Sequence, residues 1–126
     1  MLQHAINWFE IPVSDFERAK RFYSAIFDYE MPEFPMGENI RMGILLYNQE
    51  SGGIGGAICQ GEWYKSTGDG IKVYLNAGDD LSVVLNRVEG AGGKVTTPKT
   101  LITEELGYMA FFIDTEGNLI GLHSMH

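Results

Sequence analysis

Residues 8–19 read Trp8-Phe9-Glu10-Ile11-Pro12-Val13-Ser14-Asp15-Phe16-Glu17-Arg18-Ala19 and change from a strand pattern to a helix pattern halfway along. Before Ser14, apolar side chains alternate with Trp8, Glu10 and Pro12, which predicts a strand with one apolar face. Ser14 and Glu17 have the spacing of a capping box, so a helix should begin near Asp15. The helix should pack its apolar stripe on the apolar face of the strand.

The rest of the first half adds strands to this unit. The helix pattern ends before Pro32 and Pro35, and strand-like runs follow at 40–47 and 55–60. We interpret this half as β-α-β-β-β. Residues 61–70 contain three glycines, Gly61, Gly68 and Gly70, and form the natural connector at the middle of the chain.

The second half repeats the order of the first. It predicts a strand at 71–77, a helix at 80–89 and strands near 94–103, 108–114 and 119–124, the last two joined in a hairpin by the turn at 114–118. Aligning Asp15 with Asp79 or Asp80 gives a repeat of 64 or 65 residues. We therefore expect one domain over residues 1–126, made of two modules at about 1–62 and 69–126.

Composition excludes several classes of function. The 126 residues carry a formal charge of −8, which repels a phosphate backbone and makes nucleic acid an improbable partner. The sequence has no apolar run of the roughly 18 residues that a membrane span needs, so we expect no membrane association. The N-terminus lacks a signal-peptide pattern and Cys59 has no internal disulfide partner, which indicates a cytoplasmic protein.

The sequence resembles the vicinal oxygen chelate superfamily, which contains glyoxalase I, bleomycin-resistance proteins and extradiol dioxygenases. Three blocks carry the resemblance, at 8–19, 92–95 and 112–122. It is strongest to small glyoxalase-related proteins that are similar to lactoylglutathione lyase. The resemblance implies an α+β fold in which two tandem βαβββ modules form a curved mixed-sheet cup, often completed in a homodimer.

The resemblance also implies where a metal would bind. Members that use a metal place His, Glu or Gln on the first and last strands of each module. Those positions here hold Trp8, Lys72 or Val73, and Gly121, while the last strand of the first module offers Gly55–Cys59 with a single thiol. None of the residues at these three positions is a metal ligand, so we expect no cofactor at the positions that the family uses.

Residues on the face away from the helices are the candidates for binding. Trp8 and Glu10 share that face of the first strand, and Tyr74 and Asn76 share it with Lys72 in the second module. The predicted ligand-binding residues are Trp8, Glu10, Lys72, Tyr74, Asn76, Gly121 and His123. We predict a metal-independent protein that binds a small organic metabolite or drug-like molecule in the cup.

The alternatives concern Glu10 and His123. As a catalytic pair, or with a divalent metal held in a rearranged site with Cys59 or a side chain from a second subunit, they would indicate a lyase or isomerase. Glu10 could instead form a salt bridge to Arg41 or Lys72, and His123 a hydrogen bond near the sheet edge. Two further readings are a cup filled by its own aromatic side chains and a regulatory or accessory domain.

Overall fold

The computed structural model describes residues 3–126, so the predicted start of the domain and first module at Met1 lies outside the described residues. Ten helices and strands follow one another within that range, and the order βαβββ occurs twice. They are β1 (Trp8–Pro12), α1 (Phe16–Phe27), β2 (Glu33–Pro35), β3 (Arg41–Ile44), β4 (Gly55–Gln60), β5 (Val73–Asn76), α2 (Ser82–Val88), β6 (Lys94–Thr103), β7 (Gly107–Ile113) and β8 (Leu119–Ser124).

The strands form two mixed sheets, one from each half of the chain. The strand orders are β1-β4-β3-β2 and β5-β8-β7-β6. In each sheet the first strand of the half pairs in parallel with the last, and the other pairs are antiparallel. This confirms the predicted α+β fold with two βαβββ units. β1 and β5 are consequently edge strands.

The predicted faces of β1 are also confirmed. Ile11 and Val13 are buried in the core that contains the apolar stripe of α1, whereas Trp8 and Glu10 lie on the exposed opposite face. β2 is the strand whose position the sequence did not reveal. It is three residues long, fully exposed and ends at Pro35, so it has no apolar alternation to detect.

The predicted capping box at Ser14 is wrong. The N-cap of α1 is Asp15, whose side chain accepts a hydrogen bond from the Arg18 amide at 3.1 Å. The amide and hydroxyl of Ser14 donate instead to Glu116, at 2.9 and 3.0 Å, and Glu17 pairs with Arg41. A buried carboxylate about a hundred residues away along the chain therefore takes the groups that a local box would use.

The turn between β7 and β8 joins the two halves. The predicted hairpin is present, with Gly117 at a φ of +85°. The Asp114 carboxylate accepts a 2.8 Å hydrogen bond from the buried Tyr23 hydroxyl, and the Asn118 side chain donates to the Pro12 carbonyl at 2.7 Å. Burial first, and then the nearby Asp114 carboxylate, raise the pKa of Tyr23. These buried polar contacts hold the C-terminal sheet against the end of β1.

Membrane crossing by a helix has no support in residues 3–126, since neither helix combines sufficient length with sufficient apolar character.

Candidate functional site

A cleft lies between the edge strands β1 and β5. Its volume is about 1120 Å³, and its wall includes all four residues of β5 and the 9–12 segment of β1. The segment before β5 contributes residues 67–72 apart from Asp69, the β3–β4 loop contributes Tyr47 and neighbouring residues, and α2 contributes Val84 and Arg87. The cleft is therefore built by both modules.

Glu10 places a carboxylate in this wall. Its Oε1 atom accepts a 2.7 Å hydrogen bond from the Tyr64 hydroxyl, and its Oε2 atom accepts a longer one, 3.4 Å, from the indole of Trp8. Neither Arg41 nor Lys72 forms the salt bridge considered from the sequence, because Arg41 pairs with Glu17 and Glu33. The carboxylate is thus oriented by two neutral donors.

Tyr64 comes from the connector and covers part of the exposed face of the first sheet. Its ring packs against the small cluster of Met42, Ala57 and Cys59. The hydrogen bond to Glu10 and then burial raise the pKa of Tyr64. Burial, followed by the Glu10 charge, raises the pKa of Cys59 to about 12, so this thiol is neutral at physiological pH and is a poor nucleophile.

An aromatic ring lies over the position where the resemblance would put a carboxylate ligand. Gly121 pairs with Tyr74, and a Cβ atom at Gly121 would lie 2.6 Å from Cδ2 of the Tyr74 ring. Tyr74 also makes an edge contact with Phe111, with ring centroids 5.4 Å apart. The missing side chain of Gly121 is what leaves room for Tyr74.

The first sheet repeats this arrangement. A Cβ atom at Gly55 would lie 2.5 Å from the ring of Tyr47, and Tyr47 contacts Trp8 edge to face with centroids 6.4 Å apart. Gly55 is the partner of Trp8 in the β1–β4 register. Each module therefore covers a glycine of its last strand with a tyrosine that lines the cleft.

Four of the seven predicted binding residues line the cleft, namely Glu10, Lys72, Tyr74 and Asn76. Trp8 and Gly121 lie behind it, in contact with the lining residues Tyr47 and Tyr74 respectively. His123 is not in the wall, and its Nε2 atom is 2.6 Å from the Leu106 carbonyl. The structure therefore does not bring Glu10 and His123 together in this cleft.

The wall also contains residues that the sequence did not indicate, among them Tyr47, Phe27 and Arg87. Tyr47 is the last residue of the strand predicted at 40–47, Phe27 lies on the stripe of α1, and Arg87 is in α2, where its guanidinium donates to the Ile26 carbonyl at 3.1 Å. Only Tyr47 had a signal, an aromatic residue beside the glycine-rich 52–56 segment. Phe27 and Arg87 reach the cleft because both helices pack between the two modules.

The family's metal site does not fit these residues. Trp8 offers an indole N–H, which is a donor, and a carboxylate at position 121 would need the space that Tyr74 fills. Within residues 3–126, no group of three or more His, Cys, Asp or Glu side chains could hold a metal ion. The cleft therefore offers a ligand aromatic surface, the carboxylate of Glu10 and the basic side chains of Lys72 and Arg87.

Residues 6–44 match the family described as bleomycin resistance protein-like N-terminal, and several known proteins are similar over nearly the whole chain. A glyoxylase-like domain-containing protein from Didymella fabae is 31% identical over 121 residues, which are 94% of this chain and 91% of the relative. The structure of TnmS3, an antibiotic-binding protein from Streptomyces sp. CB03234, covers 98% of each chain at 25% identity with a TM-score of 0.64. A glyoxalase/bleomycin resistance protein from the same organism covers 94% of this chain and 100% of its own at 26% identity, with a TM-score of 0.63.

Proposed function

We propose a function for this chain, which belongs to the glyoxalase/bleomycin-resistance family of the vicinal oxygen chelate superfamily. The protein binds a small organic metabolite or drug-like molecule in the cleft between β1 and β5 without using a metal. The observation that carries the proposal is the Tyr74 ring over Gly121. Because of that contact, an aromatic ring covers the position where the family places a metal ligand. The cleft then offers surface for stacking and apolar contact.

The size and composition of the cleft support binding. Its volume of about 1120 Å³ lies just above the range typical of small-molecule sites, roughly 300–1,000 Å³. Apolar residues dominate the wall, and Glu10, Asn76 and Lys72 supply a few polar groups that could orient a ligand. TnmS3, which has the same fold, is described as an antibiotic-binding protein.

Tryptophan fluorescence can test this proposal directly. The chain has two tryptophans, and Trp63 is 82% exposed, so its emission would mask that of Trp8. In the Trp63→Phe variant, Trp8 contacts the cleft through Tyr47 and Glu10 and should report occupancy. We expect planar aromatic compounds from a metabolite and antibiotic library to change Trp8 emission saturably, with the same affinity in EDTA and in added Zn²⁺, Ni²⁺ or Mn²⁺.

Two results would overturn the proposal. One is the absence of any saturable ligand in such a library, confirmed by thermal shift of the unmodified protein. The other is binding that disappears in EDTA and returns with one molar equivalent of metal. The Tyr74→Ala variant should weaken binding by about fivefold, since one stacked ring contributes on the order of 1 kcal/mol.

A lyase or isomerase that uses Glu10 as its base is the second candidate. The observation that favours it is the Glu10 carboxylate in the cleft wall, held by the Tyr64 hydroxyl at 2.7 Å. The Glu10→Gln variant separates the two functions, with Glu62→Gln in the connector as the control. Under the leading proposal, no library ligand is converted to product by the unmodified protein. Turnover that Glu10→Gln abolishes and Glu62→Gln retains would establish the second candidate.

We also propose that the protein is a homodimer. Large apolar side chains stay exposed outside the core, among them Phe34, Leu46 and Trp63 with exposed fractions of 58%, 57% and 82%. A second copy would remove such surface from water. Size-exclusion chromatography with light scattering should give about twice the 14.0 kDa chain mass, and a mass of one chain at micromolar concentration would refute the dimer.

A further inference from the structure

The backbone of β1 has hydrogen-bonding groups that face the cleft. The Val13 amide donates to the Cys59 carbonyl of β4 at 2.9 Å, so the backbone groups of Val13 point toward β4. Because successive residues of a strand point their N–H and C=O groups to opposite sides, Phe9 and Ile11 face β4, and Trp8 and Glu10 face away from it. Pro12 fits this pattern, since its carbonyl accepts from Asn118 across the junction.

The same reasoning applies to β5. The Ala77 amide donates to the His123 carbonyl of β8 at 3.0 Å, so Val73 and Leu75 also face β8. The backbone groups of Tyr74 and Asn76 consequently face the cleft that both residues line. Within residues 3–126, no strand pairs with this side of β5 or with the matching side of β1.

The two edges do not pair with each other across the cleft. The Cα atoms of β1 and β5 lie more than 8 Å apart along most of their length. Hydrogen-bonded neighbours in a sheet lie about 4.8 Å apart, so two strands with a third between them are separated by about twice that distance. The free edges of β1 and β5 therefore both border the cleft, and their outward backbone groups are not paired with each other.

We propose that the cleft binds a short, extended peptide, whose backbone hydrogen-bonds to Glu10 on one side and to Tyr74 and Asn76 on the other. The proposal rests on the proposed function, because it names the ligand class for the same cleft. The five residues of β1 and four of β5 limit the paired length to about four or five residues at about 3.3 Å each. Alternate ligand side chains would point to Ile11 and Val84 on one face and toward Glu10 and Lys72 on the other.

Capped pentapeptides provide the probe. A pool of acetyl-X-Thr-X-Thr-X-amide, with X drawn from Val, Leu, Phe and Tyr, presents alternating apolar and polar side chains. Two control pools carry N-methyl groups either on every X or on every Thr, which removes the donors that face one edge while leaving the side chains unchanged. Binding is measured with Trp63→Phe fluorescence, beside the planar aromatic library.

Variants of the protein test the same bonds from the other side. Glu10→Pro removes an amide that β4 does not use, and a proline is tolerated at such an edge position, as at Pro12. Its matched control is Glu10→Val, which also loses the carboxylate but keeps the amide. Asn76→Pro with Asn76→Val is the equivalent pair on β5, should Glu10→Pro lower the thermal midpoint.

The outcomes separate this inference from the proposed function. We expect members of the unmodified pool to bind, both N-methylated pools to bind at least tenfold more weakly, and the proline variants to bind at least tenfold more weakly than the valine controls. Equal binding of methylated and unmethylated peptides, or no peptide binding while the aromatic library binds, overturns the peptide inference alone. If neither class of compound binds, both proposals fail.

Discussion

At the scale of single residues, two glycines decide what the cleft can do. Gly121 and Gly55 each leave a space on the last strand of a module, and Tyr74 and Tyr47 occupy those spaces. A glycine inside a strand weakens the strand and gives it no side chain to pack, so a residue of this kind often marks a close approach by another group. Here the approaching group is an aromatic ring from within the chain.

Gly121→Ala should destabilise the protein because its new Cβ would overlap the Tyr74 ring. We expect a loss of about 1–3 kcal/mol in the free energy of unfolding, typical of an overpacked site, measured by urea denaturation. In a Tyr74→Ala background the same substitution should cost much less. Equal costs in the two backgrounds would show that Tyr74 does not occupy the space over Gly121.

At the scale of helices and strands, Glu116 links the β7–β8 turn to the start of α1. Its side chain is fully buried and accepts hydrogen bonds from the Ser14 and Asp15 amides, while Arg18 pairs with it at 2.7 Å. Burial raises the pKa of Glu116, but the hydrogen bonds from Arg18, Asp15, Thr115 and Ser14 outweigh it and lower the pKa to about 2. The carboxylate therefore stabilises the fold in its charged form.

Stability should consequently fall in acid. A carboxyl group with a folded-state pKa below its ordinary value of 4.5 contributes fully above that value and loses the contribution as the pH falls toward 2. Glu116→Gln should lower the free energy of unfolding by about 2 kcal/mol at pH 7, and its deficit against the unmodified protein should shrink below about pH 4. Urea denaturation across this pH range measures both effects.

The exposed Glu105 in the β6–β7 turn is the control for this experiment, and Glu105→Gln should change stability by less than about 0.5 kcal/mol at pH 7. A Glu116→Gln deficit that stays constant between pH 7 and pH 2.5 would contradict the assignment of the acid-sensitive contribution to this carboxylate.

The start of α1 can be tested by a pair of substitutions. Asp15→Ala should cost about 1 kcal/mol, since the Asp15 carboxylate accepts the Arg18 amide. Glu17→Ala should cost less than about 0.5 kcal/mol, because its only described role is an exposed salt bridge to Arg41. Equilibrium denaturation measures both values. If Glu17→Ala lowered the free energy of unfolding more than Asp15→Ala, the result would support the capping box at Ser14 and contradict Asp15 as the N-cap.

At the scale of the whole molecule, one core spans both modules. The main cluster of buried residues includes Ile11 and Phe22 from the first half and Leu75 and Phe112 from the second. The rings of Phe22 and Phe112 lie 5.7 Å apart between centroids. Because this main core contains residues of both halves, neither module keeps it when the other unfolds, and the separate cluster of Met42, Ala57 and Cys59 in the first module is small.

The two halves should therefore unfold together. Trp8 reports on the first sheet in Trp63→Phe, and a Phe111→Trp substitution in a chain lacking both natural tryptophans reports on the second. We expect the same urea midpoint from both reporters and from far-UV circular dichroism. Separate midpoints would mean that the modules are independent folding units and would refute the single domain predicted for residues 1–126.

Local pattern was sufficient to predict most of the fold. The strand before Ser14, the helix after it, the helix at 80–89 and the turn at 114–118 were all predicted from periodicity and turn chemistry, because these signals depend on neighbours a few residues away. The same signals predicted which face of β1 is buried. The short, exposed β2 gave no such signal and its position was missed.

The sequence by itself determined the two βαβββ units and the absence of ligand-type residues at the positions that the family uses. The tertiary structure alone decided that Glu116 takes the hydrogen bonds of Ser14, that Tyr74 covers Gly121, that His123 turns toward Leu106, and that β1 and β5 leave an open edge between them. The physical reason is that each of these contacts joins segments distant along the chain or separate strands. Side-chain type and spacing specify a local conformation, whereas the partner across a gap depends on how the packed halves meet.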